Sequence, residues 1–461
     1  MPVPAEGGSA DPAGGPVSRP DAEPRVWPGR PPDPAIARLS HEPNPLRKAL
    51  AVLGPGFITG ASDDDPSGIG TYAQAGARYG YATLWTTLLM LPMMSAVQYI
   101  CARIGMVTGR GLAGVLRQHY PRRVLYTAVL AMVVANTVNA GADLGAIAAA
   151  ANLLVPVPAV VWVVPVTVAI LAVQVFGSYR LIERLFKWLT LALLAYVGAA
   201  LFARPDGLAV LRGTLVPQIR LDPGFIAILV ALLGTTISPY LFFWQASHEV
   251  EAEKEMGRRR LWQRQGASRT ELRHALWDTL AGMTFSEIVA YFIILATGAT
   301  LFTHGRTGIA SATDAAQALR PIAGDLSTVL LAVGLIGAGV LAVPILTGAA
   351  AYGVSEAFGW PFGLDRKPSR APQFYGVIVV ATLVGMAIDF LGIDPIQALV
   401  ATAVVNGLLA PGLLVLVMLV ANDRRIMGER TNGRGLNLLG WLTTGLMGLA
   451  AVALVVTTIV G

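Results

Sequence analysis

Apolar runs of roughly 18–25 residues recur along the whole 461-residue chain, and a run of that length crosses the hydrocarbon core of a bilayer as a helix. The chain is 54% hydrophobic and only 13% charged, where soluble domains carry about 25% charged residues. The predicted class is therefore an all-α polytopic membrane protein. Eleven transmembrane helices are expected, over 49–77 (interrupted), 82–107, 125–154, 158–177, 185–203, 223–249 (interrupted), 276–302, 325–356, 372–391, 394–421 and 437–460. Residues 1–45 are rich in Pro, Gly, Ala and charge and lack an apolar signal-like segment. They read as a disordered cytoplasmic tail ahead of a transmembrane domain over 46–461.

The loops test the span count. With the N-terminus inside, the tail and the 108–124, 178–187, 250–275, 357–371 and 422–436 loops share one face and hold 27 of the 34 Lys and Arg residues. The other face holds six, and Arg103 falls within a span. That bias matches the positive-inside rule and predicts a cytoplasmic N-terminus and an outside C-terminus in the cell membrane. The net charge of +6 thus calls for no nucleic-acid partner. The densest basic cluster, Lys254, Arg258, Arg259, Arg260, Arg264, Arg269 and Arg273, reads as a topology determinant that meets anionic lipid. Cys101, the only cysteine, reads as a small buried hydrophobe.

Two spans are interrupted. The first contains Ala61-Ser-Asp-Asp-Asp-Pro-Ser-Gly-Ile-Gly70 at mid-length. Proline breaks a helix interior, every backbone group in hydrocarbon needs a partner, and ionisable groups at that depth face a cavity or a partner. Ser67, Gly68 and Gly70 further disfavour regular helix, so two half-helices joined by an unwound segment are expected. The sixth span carries Gly234-Thr-Thr-Ile-Ser-Pro-Tyr240 at the corresponding place. Paired breaks in matching positions of two halves point to an inverted-repeat transporter with its site near the midplane. The repeats would be about 49–203 and 223–421, with an extra helix at about 437–460.

These residues resemble the Nramp family of divalent metal transporters. "GPGFITGASDDDPSG" is similar to that family's first span, which breaks at Asp-Pro-Gly-Asn. "LLGTTISPYLFFWQAS" is similar to its sixth, which breaks at Ala-x-x-Met-Pro-His. The resemblance runs from about Leu46 to about Val420. It implies the inverted 5+5 repeat fold shared with sodium-coupled amino-acid symporters, a monomer, no enzymatic activity and no cofactor, with Mg²⁺ or Mn²⁺ as cargo.

Departures from the family pattern shape the expected chemistry. The aspartate before the proline is kept as Asp65. The family's asparagine ligand falls on Gly68, its methionine on Ser238, the preceding small residue on Thr235 and its histidine on Tyr240. In the third span, Asn139 and Ala142 stand where the family has carboxylates, and Asp143 is one residue further on, about 100° around the helix. A thioether favours transition metals over hard ions, so its loss suits a partly hydrated hard cation such as Mg²⁺, usually held by one or two carboxylates plus waters. This resembles the family's magnesium-transporting relatives. Asp65 is the expected direct ligand, with Asp64, Gly68, Thr235 and Ser238 completing the metal site. Asp63 or Asp64 would hold a water, cap a half-helix or serve the access route, and Ser67, Thr236, Tyr240, Asn139, Asp143 and Asn406 would line the surroundings. Asp143 either faces the cavity or pairs between helices, and Asn406 either serves the site or makes a helix–helix hydrogen bond. The five histidines lie away from the span centres and are not expected as ligands. Weak or absent proton coupling follows from the family comparison. The alternatives are a family member that carries another solute or serves as a sensor or scaffold, and an amino-acid carrier, which three aspartates at the break disfavour by repelling the substrate carboxylate.

Overall fold

Proline placement explains how the interrupted spans are built in the computed structural model, which describes residues 54–176, 195–309 and 327–460. The first span forms two half-helices, α1 (Pro55–Asp63) and α2 (Pro66–Tyr79). Then come α3 (Trp85–Thr108), the short α4 (Leu112–His119), α5 (Arg122–Leu154) and α6 (Ala159–Phe176). Of the fifth predicted span only 195–203, almost all of it α7 (Ala195–Phe202), lies within the described residues, and α8 (Gly207–Leu215) follows. The sixth span is again halved, into α9 (Pro223–Thr236) and α10 (Pro239–Glu255). The chain continues with α11 (Arg269–Thr300), α12 (Ser327–Phe358), α13 (Pro372–Ile388), α14 (Pro395–Asn422) and α15 (Arg434–Val460). Among the described residues nine helices are long and apolar enough to cross a bilayer, with α9 and α10 counted as one. The predicted tail lies outside the described residues.

Both breaks have the same construction. Asp64 and Ile237 leave helical geometry at ψ 51° and 59°. Asp65 and Ser238 are then extended, at ψ 168° and 136°, and a proline opens the next half-helix. At that first position the missing N–H has no intrahelical partner to lose, and proline's fixed φ suits the helix. The unwinding is accordingly narrower than the sequence predicts. It is confined to Asp64 and Asp65 in the first span, and Ser67, Gly68 and Gly70 are helical. The Asp65 carboxylate caps the Gly68 N–H, and this cap together with burial of the half-helix offsets the roughly 1 kcal/mol that each glycine costs a helix.

Small residues set the approach of the central helices. α1 and α2 pack along α11. A Cβ at Gly60 would fall onto the backbone of Gly282, 2.6 Å from its Cα. The opening turn of α1 is held by Asp278 of α11, which accepts from the backbone N–H groups of Gly54 (2.7 Å), Gly56 (2.7 Å) and Phe57 (3.1 Å). Asp278→Ala strands these donors and is expected to lower stability by about 2–3 kcal/mol, read as a reduced unfolding temperature; an unchanged temperature would show that water replaces the carboxylate. On the other sides α5 packs against α12, α9 against α14, and α10 against α3. Arg103 ties α15 to this bundle, donating to Asn432 Oδ1 (2.8 Å) and to the Thr431 (3.1 Å) and Arg430 carbonyls.

The basic cluster near 250–275 is partly consumed inside the protein. Lys254 pairs with Glu251 at 2.6 Å, and buried Arg258 pairs with Glu253 (3.3 Å) and Glu271 (2.6 Å). Arg264 donates to the carbonyls of Gly109, Arg258 and Arg259. Arg259, Arg260, Arg269 and Arg273 remain exposed as the part of the cluster available to lipid headgroups. Cys101 is fully buried.

Candidate cation site

The two-residue gap between α1 and α2 turns its aspartates to different neighbours. Asp65 faces α5. Its Oδ1 accepts from Ser67 Oγ and the Gly68 N–H, both at 2.7 Å, and its Oδ2 accepts from Asn139 Nδ2 at 3.1 Å. It is therefore Asp65 that caps the half-helix, one of the three roles expected of Asp63 or Asp64. Asp143 stands one turn beyond Asn139 on the same face of α5, within electrostatic range of both Asp65 and Asp389. It is fully buried, with the Ser67 backbone facing its carboxylate. Asp389, half-buried at the end of α13, continues this line of carboxylates away from the break.

Asp63 and Asp64 face α11 instead. Ser286 Oγ lies 3.0 Å from Asp63 Oδ2 and 3.2 Å from Asp64 Oδ1. Next to it, Glu287 is 5% exposed and neither of its carboxylate oxygens has a partner. Ser286 and Glu287 were not among the expected site residues. The available signal was an acidic residue in the middle of an otherwise apolar span, "MTFSEIVAYF", which by its depth alone marks a candidate.

The sixth-span break closes over the gap. Thr235 Oγ1 lies 3.4 Å from Ser67 Oγ, and Thr236 Oγ1 lies 3.2 Å from the Tyr72 hydroxyl. Tyr240 donates to the Ser62 carbonyl at 3.2 Å, across the two breaks. Ser238 turns its hydroxyl back onto its own helix, donating to the carbonyls of Gly234 (2.8 Å) and Thr235 (2.5 Å). Gly68 leaves no open space: a Cβ there would meet the Asp63 carbonyl at 3.2 Å, Tyr72 at 3.3 Å and Thr235 Oγ1 at 3.4 Å. Asn406 is buried in α14, its Nδ2 without a partner. The donor set is thus carboxylates, hydroxyls, amides and backbone carbonyls, with neither sulfur nor imidazole at the gap. Among the described residues no three His, Cys, Asp or Glu side chains converge tightly enough to hold an ion directly. A cation here would draw on neutral oxygens or water alongside the carboxylates.

Residues 56–457 match the family described as natural resistance-associated macrophage protein-like, or Nramp. The chain is 27% identical over 418 residues to a "Divalent metal cation transporter MntH" of Deinococcus radiodurans, spanning 88% of this chain and 90% of that protein. It is 26% identical over 407 residues to the protein of the same name from Klebsiella pneumoniae, spanning 86% and 92%. The manganese transporter of Eremococcus coleocola shares the fold with a TM-score of 0.69 at 17% identity, over 89% of this chain and 87% of that one. Mhp1, a nucleobase-cation-symport-1 family transporter, shares it with a TM-score of 0.58 at 14% identity, over 88% and 91%. With a family match that takes in both halved spans and nearly the whole helical domain, the chain belongs to the Nramp family of membrane transporters and is not an enzyme.

Proposed function

We propose that the protein carries divalent metal cations across the cell membrane through the gap between its half-helices, with Asp65 as direct ligand. One observation carries this reading. Asp63, Asp64, Asp65, Asp143 and Glu287 are all buried near the gap, and among the described residues none forms an ion pair with Lys, Arg or His. Buried carboxylates are costly as anions unless a proton or a counter-charge neutralises them, and a cation can supply that counter-charge.

The all-oxygen donor set favours a hard ion. Mg²⁺ is the first candidate and Mn²⁺ the second, the latter supported by the relatives named for divalent metal and manganese. The Thr235 and Ser238 region would complete the Asp65 site, with waters filling the remaining positions, whereas Asp64, expected there too, turns to α11. The partner of Asp65 is the neutral Asn139, and Tyr240 is engaged with backbone, which supports weak or absent proton coupling. The membrane potential suffices as a driving force: two charges across 100 mV are worth about 4.6 kcal/mol. The loop charge bias supports a cytoplasmic N-terminus and an outside C-terminus, and the transporter is read as a monomer.

Influx into proteoliposomes under a set potential tests this. Mg²⁺ influx that grows with inside-negative potential, without acidification of the lumen, is the expected outcome. Acidification in step with the metal would mean proton coupling. Mn²⁺ influx alone would mean that selectivity does not follow from the lost thioether. No influx of either from folded, inserted protein would instead favour a family member with another solute or a sensing role.

A further inference from the structure

The α11 side of the gap holds more carboxylate oxygens than its hydrogen bonds can satisfy. Asp63 and Asp64 are 0% and 1% exposed. Their one shared donor is Ser286 Oγ, whose single hydrogen cannot fully satisfy two carboxylates. Asp63 Oδ1, Asp64 Oδ2 and both oxygens of Glu287 have no partner at all. Glu287 is close enough to interact electrostatically with both aspartates. This cluster is distinct from the Asp65 side, whose carboxylate oxygens are all engaged by Ser67, Gly68 and Asn139.

We propose that Asp63, Asp64 and Glu287, with Ser286, form a second cation site on the α11 side of the gap, which takes a hard divalent cation that keeps part of its water shell. The proposal rests on reading the gap as a cation path. Three carboxylates with one hydroxyl donor among them, which reaches only two of the three, call for a divalent rather than a monovalent charge. Their failure to converge on one point suits an ion such as Mg²⁺, which dehydrates reluctantly and is often held partly through its waters. Because Asp64 and Asp65 are adjacent, ions on the two sides repel each other. A second ion would therefore help release the first, as in other multi-site conduction paths.

Mg²⁺ binding to the purified full chain in nanodiscs, counted by equilibrium dialysis, tests the site. Wild type is expected to bind two ions per chain. Glu287→Gln and Asp65→Asn are each expected to bind one, the double variant none, and Glu287→Asp two. Thermal unfolding of each variant checks that it is folded. Two ions bound by folded Glu287→Gln would overturn the proposal. So would a single wild-type ion lost in Asp65→Asn, which would assign the balancing of the cluster to protons and leave the Asp65 reading standing. A single ion that depends on Glu287 and ignores Asp65→Asn would support this site and sink the Asp65 reading. No ion bound by wild type would sink both.

Discussion

Asp65→Asn weakens divalent-cation binding at the Asp65 side roughly a hundredfold, and the unfolding temperature stays close to that of wild type. The two effects separate because Asp65 does two jobs. As the N-cap of α2 it accepts from the Gly68 N–H, and asparagine caps a helix about as well as aspartate. As a buried charge it attracts the ion, and removing one partner of a buried charge pair costs about 2–5 kcal/mol. At 1.4 kcal/mol per decade, a loss of about 3 kcal/mol, in the lower half of that range, is about two decades in affinity. Asp65→Ala behaves differently. It removes the cap as well, worth about 1 kcal/mol, and strands the Asn139 amide that now donates to Oδ2. Calorimetric titration with Mn²⁺ and thermal unfolding of both variants check this. Wild-type affinity at this site in folded Asp65→Asn would place the ion elsewhere.

Gly60→Val produces the largest expected loss of stability. Gly60 and Gly282 bring α1 and α11 into backbone contact, and no side-chain rotamer can relieve a clash with backbone. Overpacking of a close-packed interior costs about 1–3 kcal/mol, at times more, and valine adds its methyls to that. The helices must separate, which also draws Ser286 and Glu287 away from Asp63 and Asp64. A marked fall in unfolding temperature, together with reduced cation binding, is the expected result. Gly376→Ala serves as the control, since a Cβ there meets nothing within 4 Å; it is expected to be near neutral. A Gly60→Val protein as stable as wild type would show that α1 and α11 slide without loss.

The span boundaries were legible because bilayer thickness and loop charge are properties of whole segments. The predicted 372–391 and 394–421 spans match α13 and α14 to within a few residues. The breaks were legible at Pro66 and Pro239, but their width was not. Whether Gly68 and Gly70 join the helix depends on the Asp65 cap and on packing against Tyr72 and Leu399, which only the folded chain supplies. The same holds for Gly68 as a ligand position. Sequence shows that a side chain is missing, whereas Tyr72 and Thr235 decide that the space is filled. Asp143 looked misplaced by one residue relative to the family pattern, yet its spacing of four from Asn139 puts both on one face. Glu287 carries no comparable signal, since it is a lone mid-span carboxylate in an uninterrupted apolar span with no proline or glycine break beside it.

Anomalous diffraction from crystals grown with Mn²⁺ would locate the ion directly. A peak at direct coordination distance from the Asp65 carboxylate, about 2.0–2.6 Å as for other oxygen-bound divalent ions, is the expected result. Density confined to the exposed surface, with the gap between α1 and α2 empty at saturating Mn²⁺, would contradict it.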